Sequence, residues 1–439
     1  MKEKVIVYGL GACWEDYYKR IINDYDVVYC SDRNPDKMGS TKGFAFVAPQ
    51  RIGTCEYDKL IICNYRYGIR EELLLSFEIP IAKICYCTEI YGNLITCPEE
   101  EKVKGAESLT IIIPTYNRKQ RLARTLDLLQ MQTNQNFNII IMDDKSNYDV
   151  SEVFRKRSSD FVERITYICN AGNIGIGGNT AFAFMQVDEG WIWTLSDDDI
   201  PSVYAVEIIY QEIAKSDSDI IHFTINDYAS YMPERDGIDF YNLKDMLYFY
   251  KKVIEDGKIS IELIMGDFIF FSNKVFHMKC VKKYLKQIIT YLYTTIPQNM
   301  PIIFMLDNEE GKFRISNKKI VSYSGPDGDH WSLLDNGLGM TIVADLPLHI
   351  SAEERKILYN ICMLYYKDVL WSAKGDYTME TLRKLEKMYS RLYFYYLSED
   401  ARNEFLSFVK QMKLFWGIDE RNDCAGGETC VCTERPGGN

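Results

Sequence analysis

Trp191-Ile192-Trp193-Thr194-Leu195-Ser196-Asp197-Asp198-Asp199-Ile200-Pro201 is the stretch whose reading decides the fold. An apolar run that stops at three adjacent carboxylates reads as a buried strand delivering acid groups to its exposed end. Neighbouring carboxylates repel one another, so the arrangement calls for a counter-charge. A divalent cation held through oxygen ligands supplies one, and Mg²⁺ or Mn²⁺ also suits a bound phosphate. Taken alone, the triplet reads equally well as a solvated acidic turn that caps the next helix. Its surroundings decide between the two.

Upstream, residues 109–113 form an apolar strand that runs into Pro114-Thr115-Tyr116-Asn117-Arg118, and a helical pattern covers about 119–132. Residues 138–142 form a strand ending in Asp143-Asp144, and residues 164–169 one ending in Asn170. The turn Gly172-Asn173-Ile174-Gly175-Ile176-Gly177-Gly178-Asn179 then opens a helix before the strand that carries the triplet. Strands alternating with helices predict a parallel α/β sheet. Four of these strands end in polar or acidic residues. Ligands of open α/β sheets bind at the carboxyl ends of strands, so these groups are expected to converge on one crevice.

The chain has 439 residues, 47% apolar and 26% charged, long enough for two or three soluble domains. A net charge of −12 argues against a broad nucleic-acid footprint, and a local basic patch facing a membrane stays possible on composition. The 13 cysteines are scattered and odd in number, mostly inside apolar runs (Cys63, Cys85, Cys87, Cys169). That is the pattern of reduced, core-packed thiols and a cytoplasmic setting. Met1-Lys2-Glu3-Lys4 leads straight into a strand, so no signal peptide is expected. No uninterrupted apolar run reaches about 18 residues, so no spanning helix is expected either.

Residues 1–100 read as a small Rossmann-like unit, with strands at 4–8, 26–30, 59–64 and 82–86 and a helical pattern at 70–77. Gly9-Leu10-Gly11-Ala12-Cys13-Trp14 supplies two glycines of a dinucleotide fingerprint, with Trp14 where the third belongs. Asp32 stands where a ribose-binding acid would be. The bulk of Trp14 opposes close helix–strand packing, so NAD binding is the minor reading here. A charged linker at 99–105 follows. Residues 351–417 are helical in pattern, and 420–439 lack an apolar face and read as a disordered tail. Cys424, Cys430 and Cys432 in that tail show no fourth ligand for zinc.

Together, residues 107–335 resemble the family-2 glycosyltransferases of the GT-A fold, inverting enzymes that use nucleotide sugars. The resemblance rests on Thr110-Ile111-Ile112-Ile113-Pro114-Thr115-Tyr116-Asn117-Arg118, on Ile139-Ile140-Ile141-Met142-Asp143-Asp144-Lys145-Ser146, and on the triplet. The stretch from Asn170 to Asn179 followed by Leu195 to Ile200 is similar to the bacterial galactofuranosyl- and rhamnosyl-transferase branch. The resemblance implies an α/β fold: a Rossmann-like open catalytic sheet, a small N-terminal Rossmann-like domain and a C-terminal helical region. It implies transfer of a sugar from a UDP- or dTDP-sugar to a glycan, lipid-linked, in bacterial surface polysaccharide synthesis. Location is expected in the cytoplasm, at the inner face of the membrane.

Pro114, Tyr116 and Asp144 are expected around the base, with Arg118 nearby; Asp144 suits the ring N–H of uracil or thymine, and Tyr116 can stack. Asp143 caps a turn or joins them. Gly175, Gly177 and Gly178, flanked by Asn173 and Asn179, would let backbone N–H groups approach phosphate or sugar. Asp197 and Asp199, or Asp198, would hold Mn²⁺ or Mg²⁺ on the diphosphate. His330 is the expected third ligand; His222, in an apolar strand, reads as core. An inverting transfer also needs a carboxylate base. Asp307 and Asp267 both qualify, with Asp307 preferred, and the family's Glu-Asp pair with its following Trp is absent. Two rivals stand beside this reading: an NAD-dependent nucleotide-sugar oxidoreductase, and a non-catalytic glycan-binding scaffold.

Overall fold

A computed structural model describes residues 2–77, 79–99, 107–232, 236–294, 296–323 and 342–372, with isolated positions at 339 and between 399 and 414. His330 and the tail from 420 lie outside the described residues. Among those described, Met1–His330 with Pro347–Ser351 belong to one compact unit and Trp331–Leu346 with Ala352–Asn439 to a second.

Among its described residues the first unit holds a four-stranded sheet, an eight-stranded sheet and a two-stranded pair. The smaller contains β1 (Lys4–Tyr8), β2 (Asp26–Ser31), β3 (Lys59–Ile62) and β4 (Ile84–Tyr86) in the order β2-β1-β3-β4, every pair parallel. Val5 and Val7 face a core with Cys13, Trp14 and Ile21 of helix Ala12–Asp24. Ile6 and Tyr8 face a second core with Leu60, Ile62 and Leu73. Two apolar layers on one sheet follow from the alternation of side chains along each strand.

The larger sheet comprises β5 (Leu109–Thr115), β6 (Asn138–Asp143), β7 (Ile165–Cys169), β8 (Trp191–Thr194), β10 (Ile220–Phe223), β11 (Gly237–Phe240), β12 (Lys274–His277) and β13 (Phe313–Ser316). A separate pair joins β9 (Ile200–Pro201) to β14 (Val321–Ser322), antiparallel. The order is β11-β13-β10-β12-β8-β5-β6-β7. Strands β5 to β8 are mutually parallel. β12 enters antiparallel between β8 and β10, so β10 and its parallel partner β13 point the same way as β8. Ile111, Ile112, Ile113, Ile192 and Trp193 are fully buried, each contributing about 1.5–3 kcal/mol of apolar burial. This doubly covered core explains why the strands read as unbroken apolar runs and not as alternations.

One consequence fixes the site. The carboxyl ends of β5, β6 and β8 lie at one edge of the sheet, together with the start of β12. The triplet follows β8 there.

In the second unit, helix Ala352–Ser372 packs on residues 342–346: Arg355 Nη1 donates to Ala344 O and Leu346 O, both at 2.9 Å. Tyr359 Oη donates to Asp345 at 2.8 Å. No helix among the described residues is long and apolar enough to cross a membrane.

Candidate active site

The three carboxylates of the triplet do not point together. Asp197, 2% exposed, turns toward β5: Thr115 Oγ1 donates to Oδ2 at 2.6 Å and Arg118 Nη1 to Oδ1 at 3.2 Å. Asp198, the more exposed of the three, takes Arg118 Nη1 at 2.8 Å, Arg121 Nη1 at 3.3 Å and the Ser196 hydroxyl. Asp199, 3% exposed, turns the other way, toward β12, and accepts from the Ser272 hydroxyl. Thr125 Oγ1 ties the backbone carbonyls of Asp197 and Asp199, and Arg124 Nη2 that of Asp198.

Electrostatics follow from this placement. Burial pushes the Asp197 carboxyl up to about 6, with Arg118 opposing. Burial, then the charge of Asp198, holds Asp199 well above the usual carboxylate range. Among the described residues no basic side chain pairs with Asp199. The triplet is thus paired with arginines through Asp197 and Asp198, while among the described residues only the charge of Arg124, without an ion pair, acts on Asp199.

Helix Lys119–Gln130 presents Arg121 and Arg124 to the triplet, while Arg118 sits at its N-cap. These side chains recur every third residue, and Arg121 and Arg124 escaped the sequence reading. The spacing Arg118-x-x-Arg121-x-x-Arg124 puts them on one helical face and was a usable signal. Thr115, Thr125 and Ser272 offered no comparable pattern.

Pro114 lies buried in β5 opposite Met142. Tyr116 is 45% exposed just past the end of β5. Asp144, 3% exposed, anchors the Gly-rich turn: Oδ1 accepts from Asn170 Nδ2 and Ile174 N, Oδ2 from Gly175 N, all at 2.9 Å. A carboxylate has about four lone-pair directions, so one acceptor position remains for a ligand, on the Oδ2 side.

Several expectations need correction. Asp143 is fully enclosed under its own turn, accepting from Ser146 N and Tyr167 Oη at 2.9 and 2.8 Å, so it faces no ligand. Asn179 is also buried, bridging Met142 O and Asn170. At the start of helix Gly175–Phe184, Ile174 N donates to Asp144 Oδ1 and Gly175 N to Asp144 Oδ2 and Asn173 Oδ1, so these two N–H groups are already engaged. Gly178 packs on the Ile174 side chain, and a Cβ at Gly177 would lie 3.1 Å from Leu292 O, so these glycines serve close packing.

Neither proposed base is available. Asp267 lies at the correct edge but is fully buried, bonded to Thr224 Oγ1, Ile225 N and Asn273 Nδ2 and paired with His222 Nε2 at 3.1 Å. Asp307 lies at the opposite edge. Helix Met300–Asp307 starts beside the site, where Asn299 Nδ2 donates to Phe268 O, and carries the chain across the sheet. There Lys312 N meets Asp219 just before β10 and β13 begin. The Asp307 carboxylate is closed by His349 N and Nδ1, at 2.8 and 3.0 Å. Cys169 is exposed, contrary to its apolar sequence context.

In the smaller sheet, Asp32 is engaged by its own loop, accepting from Leu10 N at 2.7 Å and Asn34 N at 2.8 Å. Trp14 is fully buried, its Nε1 donating to Ser40 O. The residues that suggested NAD therefore hold the loop and its packing together.

Residues 110–277 match the family described as Glycosyl transferase family 2, and residues 1–85 that described as C2185-like, N-terminal. Residues 110–277 are thus similar to a family-2 glycosyltransferase domain, and they lie in the α/β sheet described above. It is similar to the glycosyltransferase GlyA of Streptococcus pneumoniae, 27% identical over 35% of this chain and 21% of that protein. It is also similar to the poly(ribitol-phosphate) beta-N-acetylglucosaminyltransferase TarP of Staphylococcus aureus, 26% identical over 64% of this chain and 81% of that one. The chain spans 21% of the length of GlyA and 42% of that of the S. pneumoniae glycosyltransferase GlyG. A crystal structure of S. aureus TarS residues 1–349 with UDP-GlcNAc aligns at a TM-score of 0.45 and 15% identity, over 64% of this chain and 81% of that one.

Proposed function

We propose that the protein transfers a sugar, with inversion, from a uridine or thymidine diphosphate sugar to a glycan or lipid-linked glycan of a bacterial surface polysaccharide. The observation that carries this reading is the pairing of Asp144 with the triplet at one sheet edge, inside a family-2 domain. Similarity to TarP, named for its action on poly(ribitol-phosphate), supports a polyanionic acceptor.

The donor set fits Mn²⁺ or Mg²⁺. Asp199 is a buried carboxylate without a basic partner among the described residues, next to the more accessible Asp198, and hard oxygen ligands suit these ions. No ready-made cluster of three ligating side chains stands among the described residues, so Asp198 and Asp199 would hold the cation with oxygens of the diphosphate completing its shell. Bound there, the cation would offset the charge of the departing nucleoside diphosphate. Asp144 orients the base through its free acceptor position, and Tyr116 covers the base from the crevice mouth. Arg118 and Arg121 fix Asp198.

The test is thermal unfolding of the full chain with UDP and Mn²⁺, compared with NAD. Stabilisation by UDP with Mn²⁺ is expected; stabilisation by NAD alone overturns the proposal.

A further inference from the structure

The smaller sheet has a cavity of its own at the carboxyl ends of its strands. In the order β2-β1-β3-β4, the chain leaves β1 for β2 on one side and then crosses to β3 on the other. The sense of the connections therefore reverses between β1 and β3, and open parallel sheets bind ligands in the crevice at such a point. Tyr8 ends β1, Asp32 and Arg33 follow β2, and Ile69 opens the helix after β3; all four line a cavity of about 280 Å³. Every lining residue falls between positions 8 and 77, and none belongs to the turn at 9–11.

Its walls divide by chemistry. Tyr8, Phe46 and Phe77 supply aromatic rings, and Pro35 and Pro49, each the first residue of a short 3₁₀ helix, shape the rim. The polar lining centres on Glu72, where Arg33 Nη2 donates to Oε2 at 3.1 Å and Arg66 Nη2 to Oε1. Asp32 is taken up by Leu10 N and Asn34 N. Two guanidiniums against two carboxylates leave no net charge, so an anionic ligand meets no surplus cation. Glu72 still keeps about two of its four lone-pair directions, and Arg33, its side chain 77% exposed, has further N–H donors. A neighbouring acceptor and donor match two adjacent hydroxyls on one ring, and the C–H face of that ring suits an aromatic wall.

One wall is a helix that also meets the larger domain. Ile69, Glu72, Leu73 and Ser76 of helix Ile69–Ser76 line the cavity, at spacings that share one helical face. The docking lies on other residues of the same segment. Glu71 accepts from Val203 N at 3.3 Å, just before helix Ala205–Ser216. Gly68, at φ +96°, lies against Ile200 and its backbone partner Ser322, where a Cβ would overlap Ser322 Oγ. The cavity wall is thus braced from behind, and the cavity is formed before any ligand arrives.

We propose that this cavity is a second binding site, taking an uncharged ring with vicinal hydroxyls held between Glu72 and Arg33 against the aromatic wall. A sugar ring and the ribose of a nucleoside share that chemistry. The inference does not depend on the transferase reading. In the full chain, D-glucose, D-galactose, N-acetyl-D-glucosamine, uridine, adenosine and inorganic phosphate are each titrated by ligand-observed or phosphorus NMR. Wild type is compared with Arg33→Ala, which removes an exposed side chain, and with Ser76→Trp, which fills the cavity from an exposed position. At least one sugar or nucleoside is expected to bind saturably, with its affinity lowered at least tenfold in both variants and their unfolding midpoints unchanged. Binding confined to the sugars assigns a glycan, and binding confined to the nucleosides assigns a ribose. No binding by any sugar or nucleoside, binding that either variant leaves unchanged, or binding of phosphate alone overturns the proposal.

Discussion

Replacing Asp144 by Asn separates the two duties that the structure gives this carboxylate. It holds the Gly-rich turn through three N–H bonds and keeps one acceptor direction on Oδ2. In Asp144→Asn the amide oxygen is best kept toward Asn170 and Ile174, which turns the NH₂ toward Gly175. Gly175 N retains Asn173 Oδ1 at 2.9 Å, so no N–H is stranded. The expected loss is one charge-assisted bond, about 1.5–3 kcal/mol of stability. On the ligand side, the same NH₂ meets the ring N–H of uracil, donor against donor. UDP affinity should fall by about 10- to 100-fold, the same free energy expressed as a dissociation constant. Cytosine presents an acceptor at that ring nitrogen, so the preference for UDP over CDP should shrink by about tenfold or more. Denaturant unfolding and calorimetry with both nucleotides and Mn²⁺ measure each part. A stability loss with an unchanged UDP-to-CDP ratio would refute the base-contact role and leave Asp144 as a clamp of the turn.

Other outcomes follow from the same structure. Gly68→Ala places a methyl group against Ser322 Oγ at a positive φ; denaturant unfolding should show a loss of about 1–3 kcal/mol, partly restored by Ser322→Gly, and full retention of stability would contradict the docking. Lys274 is fully buried, its Nζ 2.6 Å from Phe270 O, and burial pulls its pKa down to about 7 against the pull of Asp267. The unfolded chain holds that proton to about pH 10.4, so from about pH 7 upward the unfolded state binds more protons and stability rises with pH, by at most about 1.4 kcal/mol per unit. Lys274→Met should flatten that rise between pH 7 and 9, and an unaltered slope would exclude Lys274 as its source.

The strands of both sheets up to the triplet were legible because they are short apolar runs bounded by turn residues. Residues 4–8 and 138–142, for example, match β1 and nearly all of β6. The convergence of Asp144 and the triplet was legible from topology alone, since parallel strands share a carboxyl edge. Side-chain direction was not. Asp143 and Asp144 are adjacent in sequence, yet one accepts from Ser146 N and Tyr167 Oη beneath its own turn and the other from Asn170, Ile174 and Gly175 of the Gly-rich turn. Asp307 looked like a base because sequence order cannot reveal that helix Met300–Asp307 carries it to the far edge. β12 went unread because Lys274 and His277 break its apolar pattern, and the strand enters antiparallel from a distant segment. The contact of Gly68 with Ser322 joins positions 254 apart, a separation no local pattern encodes.

The most direct measurement is nucleoside diphosphate release by the full chain from a panel of UDP-, dTDP- and GDP-sugars with Mn²⁺, in wild type and Asp199→Asn. Release from a uridine or thymidine sugar is expected, abolished by chelation and lowered at least about 100-fold by Asp199→Asn. Release that survives both chelation and Asp199→Asn, or no release from any donor, would contradict the account.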